Sequence, residues 1–455
     1  MMKLWRLALG LAALGLVTSA VQAGPYAQLS STDTQPGSTE PKPASLNSND
    51  ALKELGHDKG VVTVKEAGTY FVMAAAQVGS TTGGSGSVRM WMRINGKDVD
   101  NSNTEQTITP NFTSVLVCQG LAEAKAGDKI EVWFSVSKTG EGLGLVALKP
   151  KGEPVVPSVI FSAFKAESGP YAQLSSTQSQ TAETSPTLVS LNSVDASNKV
   201  DQDKGTITVK EDGVYFVMAA GQAGATKEGG KGSVKLWMRV NGRDVDNSNT
   251  EQSLPTGFTG VLVCQGLAEL KAGDKIALYQ SSTGTGVGMA ASTPKGEPTV
   301  PSMIFSLFKV KATPYAQLSS TESQAAKTTS TPIALDSVDA AKDVENDKGT
   351  VKVKADGVYF VVAAGQVGAT KGQEKGSVRL WVGLNGKDVD NSNTEQSIQP
   401  GYTSVLVCQG VGELKSGDRL QLLQSASAAN LGMVATKPTG EPVIPSVIFS
   451  VFRID

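Results

Sequence analysis

The chain has 455 residues, too many for one ordinary domain. Aromatic residues make up 5% and charged residues 18%, and there are 49 glycines, a composition that points to a turn-rich β protein and away from a helical one. The formal net charge is −2 with no long run of one sign, which excludes the basic footprint of a nucleic-acid binder.

The first predicted element is an export signal, residues 1–23. Lys3 and Arg6 give it a positive start, "LALGLAALGLV" an apolar middle, and Val21 and Ala23 the small residues that precede a cut. The apolar run is short for a bilayer span. Cleavage after Ala23 is therefore expected rather than retention as an anchor, and no Cys stands at the cut to carry a lipid. No later apolar run is long enough to cross a bilayer. The mature chain is expected to be soluble and exported, secreted or extracellular, with the periplasm or a cell surface as variants.

The rest of the chain repeats itself. "PYAQLSS" starts at Pro25, Pro170 and Pro314, and "VLVCQG" at Val115, Val261 and Val405. "NG[KR]DVDNSNTEQ" starts at Asn95, Asn241 and Asn385, and a "GEP" landmark at Gly152, Gly296 and Gly440. A period of about 145 residues is a whole domain, not a solenoid unit. Three copies follow the signal, at 24–165, 169–309 and 313–455. The linkers "KAES" (165–168) and "KVKA" (309–312) are four residues each and reach roughly 14 Å. Each copy must end close to where the next begins.

Within a copy, in chain order, the predicted elements are strands. "AGTYFVMAA" (67–75) is apolar at successive positions, hence on both faces. "SVRMWMRI" alternates: Val88, Met90, Met92 and Ile94 form a core face, and Arg89, Trp91 and Arg93 an outer face with a guanidinium over the Trp91 ring. Turn chemistry follows at "NG". "SVLVCQGL" is again apolar on both sides. "DKIEVWFSV" alternates, with Ile130, Val132, Phe134 and Val136 inward. "PSVIFSAF" (157–164) closes the copy and is apolar on both faces, with Ser162 diluting one. Roughly eight to ten strands and no convincing amphipathic helix suit a two-sheet antiparallel sandwich, one sheet with a wet face and one covered on both sides.

Each copy resembles the C1q/TNF-like jelly roll. The residues that carry the resemblance are "AGTYFVMAA", "DGVYFVMAA" (212–220) and "DGVYFVVAA" (356–364), then "GDKI" or "GDRL" at 127, 273 and 417. The closing strands "PSVIFSAF", "PSMIFSLF" and "PSVIFSVF" complete the set. The resemblance covers essentially all of 24–455. It implies an all-β fold of three tandem antiparallel jelly-roll sandwiches. It also implies that the doubly apolar strands face a threefold axis, so that the three copies pack on one another as an intramolecular pseudo-threefold trimer. Interface candidates are Tyr70, Leu116, Cys118 and Phe161, with Tyr215, Cys264 and Phe305 in the second copy and Tyr359, Cys408 and Phe449 in the third. Three separate sandwiches, or trimers formed between chains through each copy, are the alternatives. No Gly-x-y tract is present; tandem fusion would take the place of the collagen tail of many family members.

The candidate chemistry is sparse. His57 is the sole histidine and reads as an exposed loop residue, so a repeated Ser-His-Asp set is excluded. Cys118, Cys264 and Cys408 recur at one place per copy and read as buried free thiols, with one disulfide plus a leftover thiol, or a three-thiolate metal site on the axis, as alternatives. "KDVDNSNTEQ" offers Asp98 and Asp100, with Asp244, Asp246, Asp388 and Asp390, as oxygen ligands for Ca²⁺. The EF-hand spacing fails, because Asn103 stands where Gly is needed and Thr109 where Glu is needed. A hairpin after "NG" plus a solvated strand, with Asn and Ser bonding local backbone, is the preferred reading, with no cofactor. "NFT" at Asn111 is an unrepeated sequon. Glu153, Glu297 and Glu441 of "GEP" would have to serve a carbohydrate-active enzyme on a jelly-roll scaffold, which needs two carboxyls about 5–10 Å apart. A turn before the closing strand is the simpler reading. The expectation is a non-enzymatic exported protein that recognises an extracellular protein, glycan or surface through loops and outer faces, or a structural assembly component with no small-molecule ligand.

Overall fold

Alternation of Cβ direction along a strand fixes which residues share a face, and cross-strand pairing fixes which strands share a sheet. The computed structural model describes residues 24–455, so the expected signal 1–23 lies outside the described residues. Over the described residues the chain forms 42 strands and no helix, and no helix is long and apolar enough to cross a membrane.

The strands make six seven-stranded sheets, two per repeat, and every pairing is antiparallel. In the first repeat the strand Gly68–Ser80 is central to one sheet. Ser114–Ala124 pairs along one edge of it, and Val159–Lys165 and Leu143–Leu145 along the other. Tyr26–Ser31 and then Ser48–Lys53 continue beyond Val159–Lys165. The other sheet runs Thr104–Ile108, Gly86–Ile94, Lys129–Val136, Val61–Val64, Leu55–Asp58. The chain crosses between the sheets repeatedly, and the second and third repeats copy this order. Each unit is a jelly roll, and the fold is three of them in tandem.

The alternating strands behave as their pattern dictates. Val88, Met90, Ile130, Val132, Phe134 and Val136 are all buried between the sheets. The outer face differs from expectation at Trp91. Its ring is fully buried, and its Nε1 donates to Asp98 Oδ1 at 2.6 Å. The guanidinium of Arg93 lies instead 3.6 Å from the ring centre of Trp133, and that of Arg239 lies 3.9 Å from Tyr279. The reason is the turn after "NG": it folds Asp98 back over the indole and draws Arg93 onto the same carboxylate, at 2.5 Å.

The doubly apolar strands have their second face covered by the other repeats. Phe71 pairs across Phe164, so both rings project from one face. Phe71, Phe216 and Phe360 form a triangle with centroids 5.9–6.1 Å apart. Phe164, Phe308 and Phe452 form a second, 5.9–6.3 Å on a side. The two triangles touch through Phe71–Phe308, Phe164–Phe360 and Phe216–Phe452 at 5.1–5.2 Å. Two rings from each repeat thus meet on a pseudo-threefold axis.

The expected interface residues are out of phase with this axis by one position. Phe161 and Cys118 both pair across Ala74, and Leu116 pairs across Ala76, the parity opposite to Phe71. Tyr70 shares that parity and donates its hydroxyl to Glu66 O of its own repeat. Tyr70, Leu116, Cys118 and Phe161 therefore face the sandwich interior. So do Tyr215, Cys264 and Phe305, and Tyr359, Cys408 and Phe449. The side chains that meet the neighbours are Phe71, Gln77, Gln119, Ser162 and Phe164 and their counterparts. The ends of the three closing strands gather at one place, where Lys165–Glu167, Lys309–Lys311 and Arg453–Ile454 line one shallow dimple. That gathering lets four-residue linkers suffice.

Candidate functional site

Polar residues buried among apolar ones carry a cost unless each finds a partner. In this chain a recurrent set of Arg or Lys, Glu, Asn and Gln side chains finds its partners in another repeat. The seams between repeats are therefore where the distinctive chemistry lies.

Each seam holds a buried ion pair. The guanidinium nitrogens Nε and Nη2 of Arg89 lie 2.6 and 3.1 Å from the two carboxylate oxygens of Glu297, a bidentate contact between first and second repeats. Lys235 Nζ lies 2.5 Å from Glu441, joining second and third. Arg379 Nε lies 3.0 Å from Glu153, joining third back to first. The set is cyclic and closes. The side chains of Glu297, Glu441 and Glu153 are only 3%, 5% and 4% exposed. These are the "GEP" glutamates, and each is engaged by a cation. The Glu395 carboxyl beside Arg379 is held above the usual carboxylate range, first by burial, with the guanidinium opposing.

The polar stretch after "NG" supplies a second layer. Asn101 Nδ2 donates to Asp195 Oδ1 at 2.8 Å, Asn247 to Asp339 at 2.7 Å, and Asn391 to Asp50 at 2.8 Å. Asn103, Asn249 and Asn393 donate to the carbonyls of Pro298, Pro442 and Pro154. Those prolines follow the "GEP" glutamates, so one loop of each repeat receives both the cation and the amide of its neighbour. The stretch clasps the next repeat; the expected local hairpin accounts only for part of it, as in Ser102 Oγ bonding Val99 O. Of the calcium candidates, Asp98, Asp244 and Asp388 accept from the indoles of Trp91, Trp237 and Trp381. Asp100, Asp246 and Asp390 lie at or near the solvent-exposed surface of the same turn.

A third layer is made of glutamines. Gln77 exchanges two hydrogen bonds with the backbone of Glu395, Gln222 with Glu105, and Gln366 with Glu251, all at 2.7–2.9 Å. Gln119 and Gln265 accept from Ser306 and Ser450 at 2.6 and 2.7 Å, while Gln409 donates to Ser162 at 3.1 Å. Ser162, which diluted one face of the closing strand, is the partner of a neighbour's glutamine. Sequence reasoning did not find these residues. The available signal was a lone Gln or Ser inside an apolar strand at the same place in all three copies, since such a group needs a partner its own strand cannot give.

The thiols take no part in the seams. Cys118, Cys264 and Cys408 are free, buried, and donate to the carbonyls of Ser102, Ser248 and Ser392 at 3.2 Å. Facing their own sandwiches, they do not meet on the axis, which excludes a shared thiolate metal site there. Burial alone pushes each up to about 12. A thiol needs its thiolate to react. We expect the native chain to show no reaction with a disulfide-exchange reagent over an hour at pH 8, and the denatured chain to titrate three thiols. Prompt labelling of the native chain would contradict this burial.

His57 is half-buried rather than exposed. Its Nδ1 lies 2.6 Å from Asn49 Oδ1 and its Nε2 accepts from Gly60 N at 3.0 Å. Burial lowers its pKa, with Asp58 opposing. Asn346 holds the equivalent turn through Gly349 N at 2.9 Å, so the position is a turn brace.

No protein-family model matches the chain, and no curated protein matches it. The crystal structure of murine APRIL at pH 5.0 is similar to part of it: 11% identity, 31% of this chain and 99% of that chain, with a TM-score of 0.24. It is the strand order above, rather than that likeness, that makes each unit a jelly roll.

Proposed function

We propose that the chain is an exported, non-enzymatic binding or structural protein built as C1q/TNF-like trimers are, with three domains of one chain in place of three chains. The observation that supports this reading best is the cyclic set Arg89–Glu297, Lys235–Glu441, Arg379–Glu153. It closes the third repeat onto the first, so no second chain is needed to complete the ring. It also occupies the carboxylates that a glycosidase would have to keep free. Recognition then falls to the loops and outer faces, with an extracellular protein, a glycan or a surface as the partner. Covalent linkage raises the effective concentration of each domain for its neighbours to about the mM range, the task a collagen tail performs elsewhere.

Mass and shape in solution test the reading. The mature chain should scatter as one copy with a radius of gyration of about 22 Å. It should also retain members of a glycan or extracellular-protein array without converting them. A mass of three chains, an elongated particle, or turnover of a glycan would each count against it.

A further inference from the structure

The three seams share their asparagine and glutamine clasps but not their apolar floors. In the first repeat a Cβ on Gly120 would meet the Met92 methyl at 3.0 Å, and in the second a Cβ on Gly266 would meet the Met238 methyl at 3.0 Å. A methionine thus plugs the seam. In the third repeat Val382 replaces that methionine, Val411 replaces Leu121 and Leu267, and Gly412 replaces Ala122 and Ala268. A Cβ on Gly410 meets only Val361, at 3.7 Å, and one on Gly412 meets nothing within 4 Å.

The consequence is a deeper cleft. The cleft between first and second repeats has a volume of about 610 Å³ and ends at Met92. The one between third and first has about 680 Å³ and runs on to Tyr359, Val361, Leu414 and Leu420, which belong to the sandwich interior. Val361 is 8% exposed, whereas its counterparts Val72 and Val217 are at 0%. Opening a sealed interior to water costs stability, and three truncations converge on one place. The rim carries Asp50, Asp390 and Glu413 and, among its lining residues, no Lys, Arg or His. The volume falls in the range of small-molecule sites, and the mixture of apolar depth with a few polar groups at the mouth is typical of them.

We infer that the cleft between the third and first domains binds an apolar cation: a hydrocarbon or aromatic body under Val361 and Val382, with an ammonium head among Asp50, Asp390 and Glu413. The acidic rim favours a positive head and disfavours a carboxylate. The site goes beyond the proposed recognition of macromolecules. It needs only the contact between third and first domains, which the solution mass tests separately.

The test is calorimetric titration of the mature chain with decyltrimethylammonium below its micelle concentration, beside decanol and decanoate. The expected result is saturable binding of one decyltrimethylammonium per chain, at least tenfold tighter than decanol, with decanoate weakest. The variant Val382→Met/Gly412→Ala restores residues that the first two domains already carry. It should melt no lower than the parent and bind at least tenfold more weakly. Absence of saturable binding, equal binding by the plugged variant, or a preference for decanol or decanoate would each overturn the assignment.

Discussion

Phe216→Ala should destabilise the chain by about 3–5 kcal/mol, read as a fall in the denaturant midpoint with the slope retained. Phe216 contributes one ring to the axis, and its centroid lies within 5.1–6.1 Å of Phe71, Phe308, Phe360 and Phe452. Three of those four rings, Phe71, Phe360 and Phe452, belong to other domains, so the substitution strips contacts that no single sandwich could make. The surroundings are locked by two stacked triangles and cannot collapse into the gap. Each lost aromatic pair adds about 0.5–1.5 kcal/mol beyond burial. On an isolated sandwich the same ring would stand mostly in water with Phe308 as its one aromatic neighbour, and its removal would cost only about 1 kcal/mol, the scale of a single cross-strand pair. A midpoint that falls by no more than that therefore means the domains are apart in solution, whatever their separate stabilities.

That contrast explains what the sequence revealed and what it hid. Strands with apolar residues at both parities announce that both faces are covered, and the short linkers announce that the copies lie close together. Neither tells which parity faces which neighbour. Tyr70 and Phe71 are equally apolar, as are Phe161 and Phe164, so hydrophobicity cannot choose a phase. The choice lay in the polar residues that share a parity with Phe71 and Phe164, namely Gln77, Gln119 and Ser162. A buried glutamine in a strand face turned to its own core would have stayed unpaired, whereas a seam between rigid domains offers fixed backbone groups. The "GEP" glutamates and the "NSN" asparagines were legible as recurrent and polar. Their partners lie between 92 and 341 residues away, every one of them in another domain. No local pattern encodes such a distance. The Met-to-Val difference at 382 was visible as well, but only the position of Gly410 opposite it gives the difference a shape.

Lys235→Met should cost about 3–5 kcal/mol, because it leaves the Glu441 carboxylate buried with its cation removed. The pair is among the most enclosed of the ring, at 9% and 5% side-chain exposure, so water cannot take over the lost contact as it would at a surface bridge. Met keeps the length and packing of the lysine stem, which confines the change to the charge. The double variant Lys235→Met/Glu441→Leu should then recover most of the loss, since two apolar groups of similar volume remove both desolvation penalties together. Denaturant melts of parent, two singles and double close a cycle whose coupling energy measures the contact across the seam between second and third domains. A coupling near zero, with both singles close to the parent, would place Lys235 and Glu441 in separate solvent. The recovery in the double matters as much as the loss in the single. It distinguishes a seam closed by shape, with the ion pair fixing its register, from one held shut by charge alone, in which the double would be as weak as either single.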